Sequence, residues 1–193
     1  MSPYLSRCRY ELRSLSRAFL FAAILVTIYL TAMSQTNKPS RKGPTEMMRE
    51  LRLFQLTTAI GEKPTTEFPK VRAVIMDWPI ERAIVTVVAR STGDASIYTT
   101  GTFGVLGGIG HETVRSAART CVKIAQGYSG DATPTKEYPY PATKRVRFYL
   151  VCYDGVRVID ADLDSVTHKD GKYSDMYAAA QQVVTELRLI SQH

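Results

Sequence analysis

Cysteine is scarce in this chain and carries no pattern. Cys8, Cys121 and Cys152 are odd in number and share no CxxC spacing, which removes a disulfide framework and a zinc knot from the reading. Cys121 and Cys152 read as small buried hydrophobes of a reducing compartment, with a bridge between them left open should the domain be exported. Histidine is as sparse: His111, His168 and the terminal His193. No glycine run leads into a Lys-Ser/Thr pair, so there is no P-loop, and no motif calls for a metal or a cofactor.

The folded part also lacks an excess of either charge. The formal charge of +7 and the sequence pI near 9.4 invite an acidic partner until the charge is located. Arg7, Arg9, Arg13, Arg17, Lys38, Arg41 and Lys42 face Glu11 alone in residues 1 to 43, which leaves 18 basic and 17 acidic groups for residues 44 to 193. A nucleic-acid binder concentrates cations on its folded domain, because phosphate neutralisation supplies most of the affinity. DNA and RNA are therefore not expected as partners.

What is present begins with an address. Four arginines precede the uncharged run Ala18 to Leu30, followed by Ala32, Met33 and Ser34. As a helix, Ala18 to Met33 would cover about 24 Å, short of a hydrocarbon layer of about 30 Å. The residues leave three readings of positions 1–34 open: a secretory signal cut after Ser34, an uncleaved membrane anchor, or an artefact of start assignment, with translation beginning at Met33 and a cytoplasmic chain. Lys38, Arg41 and Lys42 make both flanks basic, so orientation is not fixed. Cys8 is a palmitoylation candidate under the anchor reading alone.

Residues 35–43 are a polar linker, and residues 44–193 read as one α+β domain. Met47, Met48, Leu51 and Phe54 recur at helical spacing, so a helix is expected to about Ala59, buried through those four. Val71 to Met76 and Ala83 to Ala89 read as strands around a turn at Asp77-Trp78-Pro79-Ile80, with a third strand at Ala95 to Thr100. Val114, Ala117, Ala118, Cys121, Val122 and Ala125 form one stripe of a second helix. Tyr128 to Thr143 reads as a proline-bearing surface loop. Val146 to Tyr153 and Val156 to Asp160 make a hairpin around a type I′ signal at Asp154-Gly155. After a polar loop from Asp162 to Tyr173, Ser174 is expected to cap a last helix buried through Met176, Ala180, Val183, Leu187 and Ile190.

The expectation is a largely antiparallel sheet of about five strands with about three helices, in the order α-β-β-β-α-β-β-α. In element order the layout resembles small profilin-like or roadblock-like binding domains. No residue motif of either family is present, and no functional residue is carried across.

Three clusters are candidate sites. Gly104, Gly107, Gly108 and Gly110 lead into His111, Glu112 and the following helix, where backbone N–H groups could face an anion with Arg115 assisting. The bland alternative is a turn that needs glycine for its backbone geometry. Arg115, Arg119 and Lys123 fall every four residues on the polar side of that helix, either a solvated face or a docking surface for an acidic partner or lipid headgroups. Asp160, Asp162 and Asp164 open like a calcium loop, but Ser165 and Gly171 stand where glycine and glutamate are needed. No nucleophile, base and acid come together. The expected function is a non-enzymatic binding or interaction domain, tethered to a membrane under the anchor reading, with a protein partner or a second copy as its target. The alternative is a small enzyme or anion-binding domain built on the glycine loop, with Gly107, Gly108, Gly110, His111 and Arg115 as its site.

Overall fold

The computed structural model describes residues 43–58, 61–101 and 103–191. The leader, linker residues 35–42, Cys8 and His193 lie outside the described residues. Among the described residues four helices and seven strands follow in the order α1 (Pro44–Thr57), β1 (Val71–Ile80), β2 (Ala83–Arg90), β3 (Ala95–Thr99), β4 (Gly104–Val105), α2 (Glu112–Tyr128), β5 (Thr133–Thr135), β6 (Arg145–Cys152), β7 (Gly155–Asp162), α3 (Leu163–Thr167) and α4 (Ser174–Ile190). The α+β class and the antiparallel sheet are as the sequence implies. Three short elements are additional: β4 arises inside the glycine run, β5 inside the proline-bearing loop and α3 inside the polar loop.

The strands form one sheet in the order β4-β3-β2-β1-β6-β7-β5, and every pairing is antiparallel. β1 is central, and each of its residues from Val71 to Trp78 is buried because both faces of the sheet are covered. On one face Val74, Met76, Val87, Ile97, Phe148 and Leu150 meet the stripes of α2 and α4. Those stripes are the ones the spacing gives: Val114, Ala118, Cys121, Val122 and Ala125 from α2 and Met176, Ala180, Val183 and Leu187 from α4 are all buried, while Ile190 is only partly covered. Tyr128 donates to Asp175 at 2.6 Å and packs edge-on against Tyr173, tying the end of α2 to the start of α4. On the other face Ala73, Ile75, Val88, Tyr98, Tyr149 and Val151 lie under α1.

Three local expectations are corrected. The segment Asp77-Trp78-Pro79-Ile80 is not a turn: β1 runs through it, and the reversal falls at Glu81-Arg82, with Glu81 at φ 51. Pro79 is tolerated because β1 pairs with β6 only as far as Asp77, so no ladder partner is lost on that side. The β6–β7 turn consists of Tyr153 and Asp154 rather than Asp154-Gly155; Cys152 pairs with Gly155, whose φ of 140 opens β7. Finally, Tyr173, not Ser174, occupies the N-cap of α4, in a left-handed conformation with no side-chain cap. Ser174 instead donates to the carbonyl of Lys169.

Candidate functional site

The glycine loop is placed first by its own backbone. The Gly108 amide donates to the carbonyl of Ala95 at 3.1 Å, and the Gly107 amide to Ser96 Oγ at 3.4 Å. These bonds bind the loop to β3. Gly107 needs a left-handed φ of 75, which glycine adopts without strain. Gly108 is there for room: an added Cβ would stand 2.4 Å from Val114 Cγ1 and 2.9 Å from Leu187 Cδ2, both inside the α2–α4 core. Gly110 is exposed and meets nothing. The structure thus directs the Gly107 and Gly108 amides to protein acceptors, a geometry that favours backbone packing over an anion cradle.

His111 is the exposed N-cap of α2 and makes no side-chain cap bond. Arg115 reaches back to the carbonyl of Ile109 at 2.7 Å and pairs with Glu112. Arg119, the next residue of the candidate docking face, donates to the carbonyl of Ser91 at 2.8 Å, pairs with Glu67 and lies over the ring of Phe68. Both arginines therefore fasten α2 to neighbouring loops. Lys123 is exposed farther along the same helix.

The aspartates separate into different tasks. Asp160 sits across from Arg147 in the β6–β7 ladder and accepts from Arg147 Nε at 2.8 Å and Arg145 Nε at 2.6 Å. Asp162 caps α3 by accepting from the Ser165 amide, and Asp164 occupies the first turn of α3. His168 follows that helix, exposed. Among the described residues no group of histidine, cysteine and carboxylate side chains is arranged to hold a metal ion.

Asp160 gives a pH prediction. Burial opposes its ionisation, but hydrogen bonds and charge from Arg147 and Arg145 prevail and hold the carboxyl below its ordinary range. A depressed acid stabilises the fold above the unfolded value near about 3.9, and that contribution disappears as pH falls through the lower folded value. Asp160→Asn should therefore lower the thermal midpoint at neutral pH, by an amount that shrinks as pH falls through the depressed folded value. Solvent screening at this partly exposed pair limits the effect to about 1 kcal/mol or less. A difference that stayed constant across the titration would assign the loss to packing instead.

The most developed polar arrangement is one that periodicity does not announce. Asp77 of β1 is fully buried and accepts from Arg52 of α1 through Nε at 3.0 Å and Nη2 at 2.5 Å, and from Thr86 Oγ1 of β2 at 2.5 Å. Arg52, itself 2% exposed, also donates to the carbonyl of Tyr138 at 2.9 Å and lies over the rings of Tyr140 and Tyr149. Arg147 and Tyr149 in turn donate to the carbonyl of Pro139. One charge pair thus joins helix, sheet and the Tyr138–Tyr140 segment. Desolvation raises the proton affinity of Asp77 against the bonds from Arg52 and Thr86, while Asp77 keeps Arg52 firmly protonated despite its burial.

A second buried cluster lies at the end of α1. Arg90 bonds Gln55 and Glu62, and Arg72 lies 3.7 Å from Glu62. The thiols do not join either cluster. Cys121 and Cys152 are both free and buried; burial pushes Cys121 up to about 12 and raises Cys152 as well. Among the described residues no helix is long and apolar enough to cross a membrane. Comparison with protein-family models, curated proteins and solved structures returned no match to this chain.

Proposed function

We propose that the domain is a non-enzymatic interaction module whose contact element is the loop around the glycines, and that its partner is a second copy of the chain. The observation that carries the reading is the exposure of Phe103 (50%), Leu106 (56%) and Ile109 (50%). Three large apolar side chains within seven residues remain in water beside β4, the two-residue strand at the edge of the sheet. Apolar groups gathered at a sheet edge are a contact surface in the usual economy of soluble proteins. The near-neutral balance of residues 44–193 leaves the folded parts of two copies without strong mutual repulsion, and a two-fold contact places each loop against its twin.

The chemistry of the interior supports the same reading. Asp77, Arg52 and Arg90 are committed to the fold, and the protonated, buried thiol of Cys121 is a poor nucleophile. The test is sedimentation of the full-length chain beside the variant Phe103→Ser/Leu106→Ser/Ile109→Ser. Each half-exposed side chain contributes about 1 kcal/mol when covered, and a two-fold contact covers three from each copy, so the triple variant should self-associate on the order of 10,000-fold more weakly. A parent chain that stays monomeric at about 100 µM, or a variant that associates as the parent does, would sink the proposal.

A further inference from the structure

On the α1 face of the sheet, away from the glycine loop, a groove of about 540 Å³ runs between the end of α1 and the outer strands β7 and β5. Its apolar lining is Leu56, Pro134, Tyr138 and the cross-strand pair Val151 and Val156. The volume is within the range of pockets that hold small organic molecules. Two cations, Arg72 and Lys136, share the lining with one carboxylate, Asp154, which is already paired with Arg157 at 2.9 Å.

Arg72 is the unusual member. The β1–β6 register passes from Val71↔Cys152 directly to Ala73↔Val151, so Arg72 is the extra residue of a β-bulge. A bulge breaks the alternation of a strand and re-aims one side chain. Here it sets an arginine, 8% exposed as a residue, in the wall of an open groove. A guanidinium carries five N–H donors. Among the described residues its one hydrogen bond is to the carbonyl of Thr58 at 3.3 Å, and its nearest carboxylate oxygen, Glu62 Oε2, stands off at 3.7 Å. That distance exceeds an ordinary hydrogen bond, and among the described residues Glu62 Oε2 has no hydrogen-bond partner. By contrast Arg52 and Arg90, buried on the same face, each hold close acceptors. Among the described residues Arg72 is therefore a buried cation with spare donors, and the groove is where an acceptor can reach it.

We infer that this groove binds a small organic monocarboxylate, its carboxylate on Arg72 with Lys136 at the rim and its apolar body on Leu56, Tyr138, Val151 and Val156. Asp154 in the lining and Glu62, 3.7 Å behind Arg72, offset part of the positive charge, which disfavours a doubly charged phosphate relative to a single negative charge. The apolar floor selects a ligand with a hydrocarbon body over a free inorganic anion.

Decanoate is the probe and decanol its uncharged control, titrated into the full-length protein by calorimetry below their aggregation limits. Decanoate should bind one to one with a Kd of about 100 µM, and decanol about ten-fold more weakly. Arg72→Gln should erase the preference for the acid, and Val156→Trp, which fills the groove from a partly exposed position, should abolish binding of both. Should Arg72→Gln fail to fold, the exposed Lys136→Glu decides: it should weaken decanoate several-fold and leave decanol unchanged. Equal affinity for acid and alcohol, binding indifferent to Val156→Trp or Lys136→Glu, or no saturable heat up to about 1 mM would overturn the inference. None of these outcomes bears on self-association through residues 103–109.

Discussion

Asp77→Ala is expected to destabilise the domain by about 3–5 kcal/mol, the cost of leaving a buried charge without its partner. For a domain whose whole stability is about 5–15 kcal/mol, that brings the variant close to unfolding at room temperature. The reason is the position of Arg52. With the carboxylate gone, its guanidinium remains 2% exposed, holding the carbonyl of Tyr138 and the faces of Tyr140 and Tyr149 but no counter-ion. Thr86 loses its acceptor as well. The penalty is thus one of abandonment, and it does not measure what the intact pair contributes. Arg52→Met combined with Asp77→Leu should recover most of the loss, since two matched apolar groups replace a buried ion pair at little cost or with a gain. Urea denaturation of Arg52→Met, Asp77→Leu and the double variant, beside Asp77→Ala, checks this. Losses that simply add in the double variant would show that the two side chains act independently.

The second large effect is expected at Gly108. Gly108→Ala should cost about 1–3 kcal/mol through overpacking. The new Cβ would fall 2.4 Å from Val114 Cγ1, on a fully buried residue of α2, and 2.9 Å from Leu187 Cδ2, on a fully buried residue of α4. Neither can move without disturbing the α2–α4 contact. Gly107→Ala meets no atom within 4 Å but is held at φ 75, so its cost is conformational, about 1 kcal/mol. Gly110→Ala meets neither obstacle and should be within about 0.5 kcal/mol of the parent. Chemical denaturation of the three variants should give the order Gly108, Gly107, Gly110. Equal losses at all three would remove packing as the reason for the glycines.

The sequence and the structure agree where burial is periodic. α2 and α4 each press one stripe against one face of a sheet, so every third or fourth residue is apolar and the stripe can be read directly. They part company where a charge is buried. Asp77 followed by Trp78 and Pro79 looks like punctuation, because carboxylates and prolines concentrate in turns. Its reason for being in a central strand is Arg52, 25 residues earlier, and no local pattern reports a partner at that distance. The same pair misdirects the reading of α1. Met47 and Phe54 look like its buried face, yet they are about half exposed, whereas Arg52 and Leu56 face the sheet. Arg72 was equally hidden: nothing in the order of residues announces a register shift between strands 65 or more positions apart.

The glycine run shows how a motif can be legible while its use is not. The spacing marks a segment with special backbone needs, and Gly107 and Gly108 do have them. Whether those needs come from a ligand or from Val114 and Leu187 depends on what lies behind the loop, and that is supplied by α4, some eighty residues downstream.

The pairing of β1 with β6 also sets an order of events when the chain is made. The meander from β1 to β4 can form early, but the inner edge of β1 has no partner until residues 145–152 have been synthesised. In that interval the middle strand of the finished sheet is an open template, bearing the backbone groups from Val71 to Asp77 that β6 will later cover. Such non-local closure slows folding and lengthens the exposure of an aggregation-prone edge. A nascent chain arrested before β6 should accordingly be the species that chaperones hold, and release of the full-length chain should end that dependence.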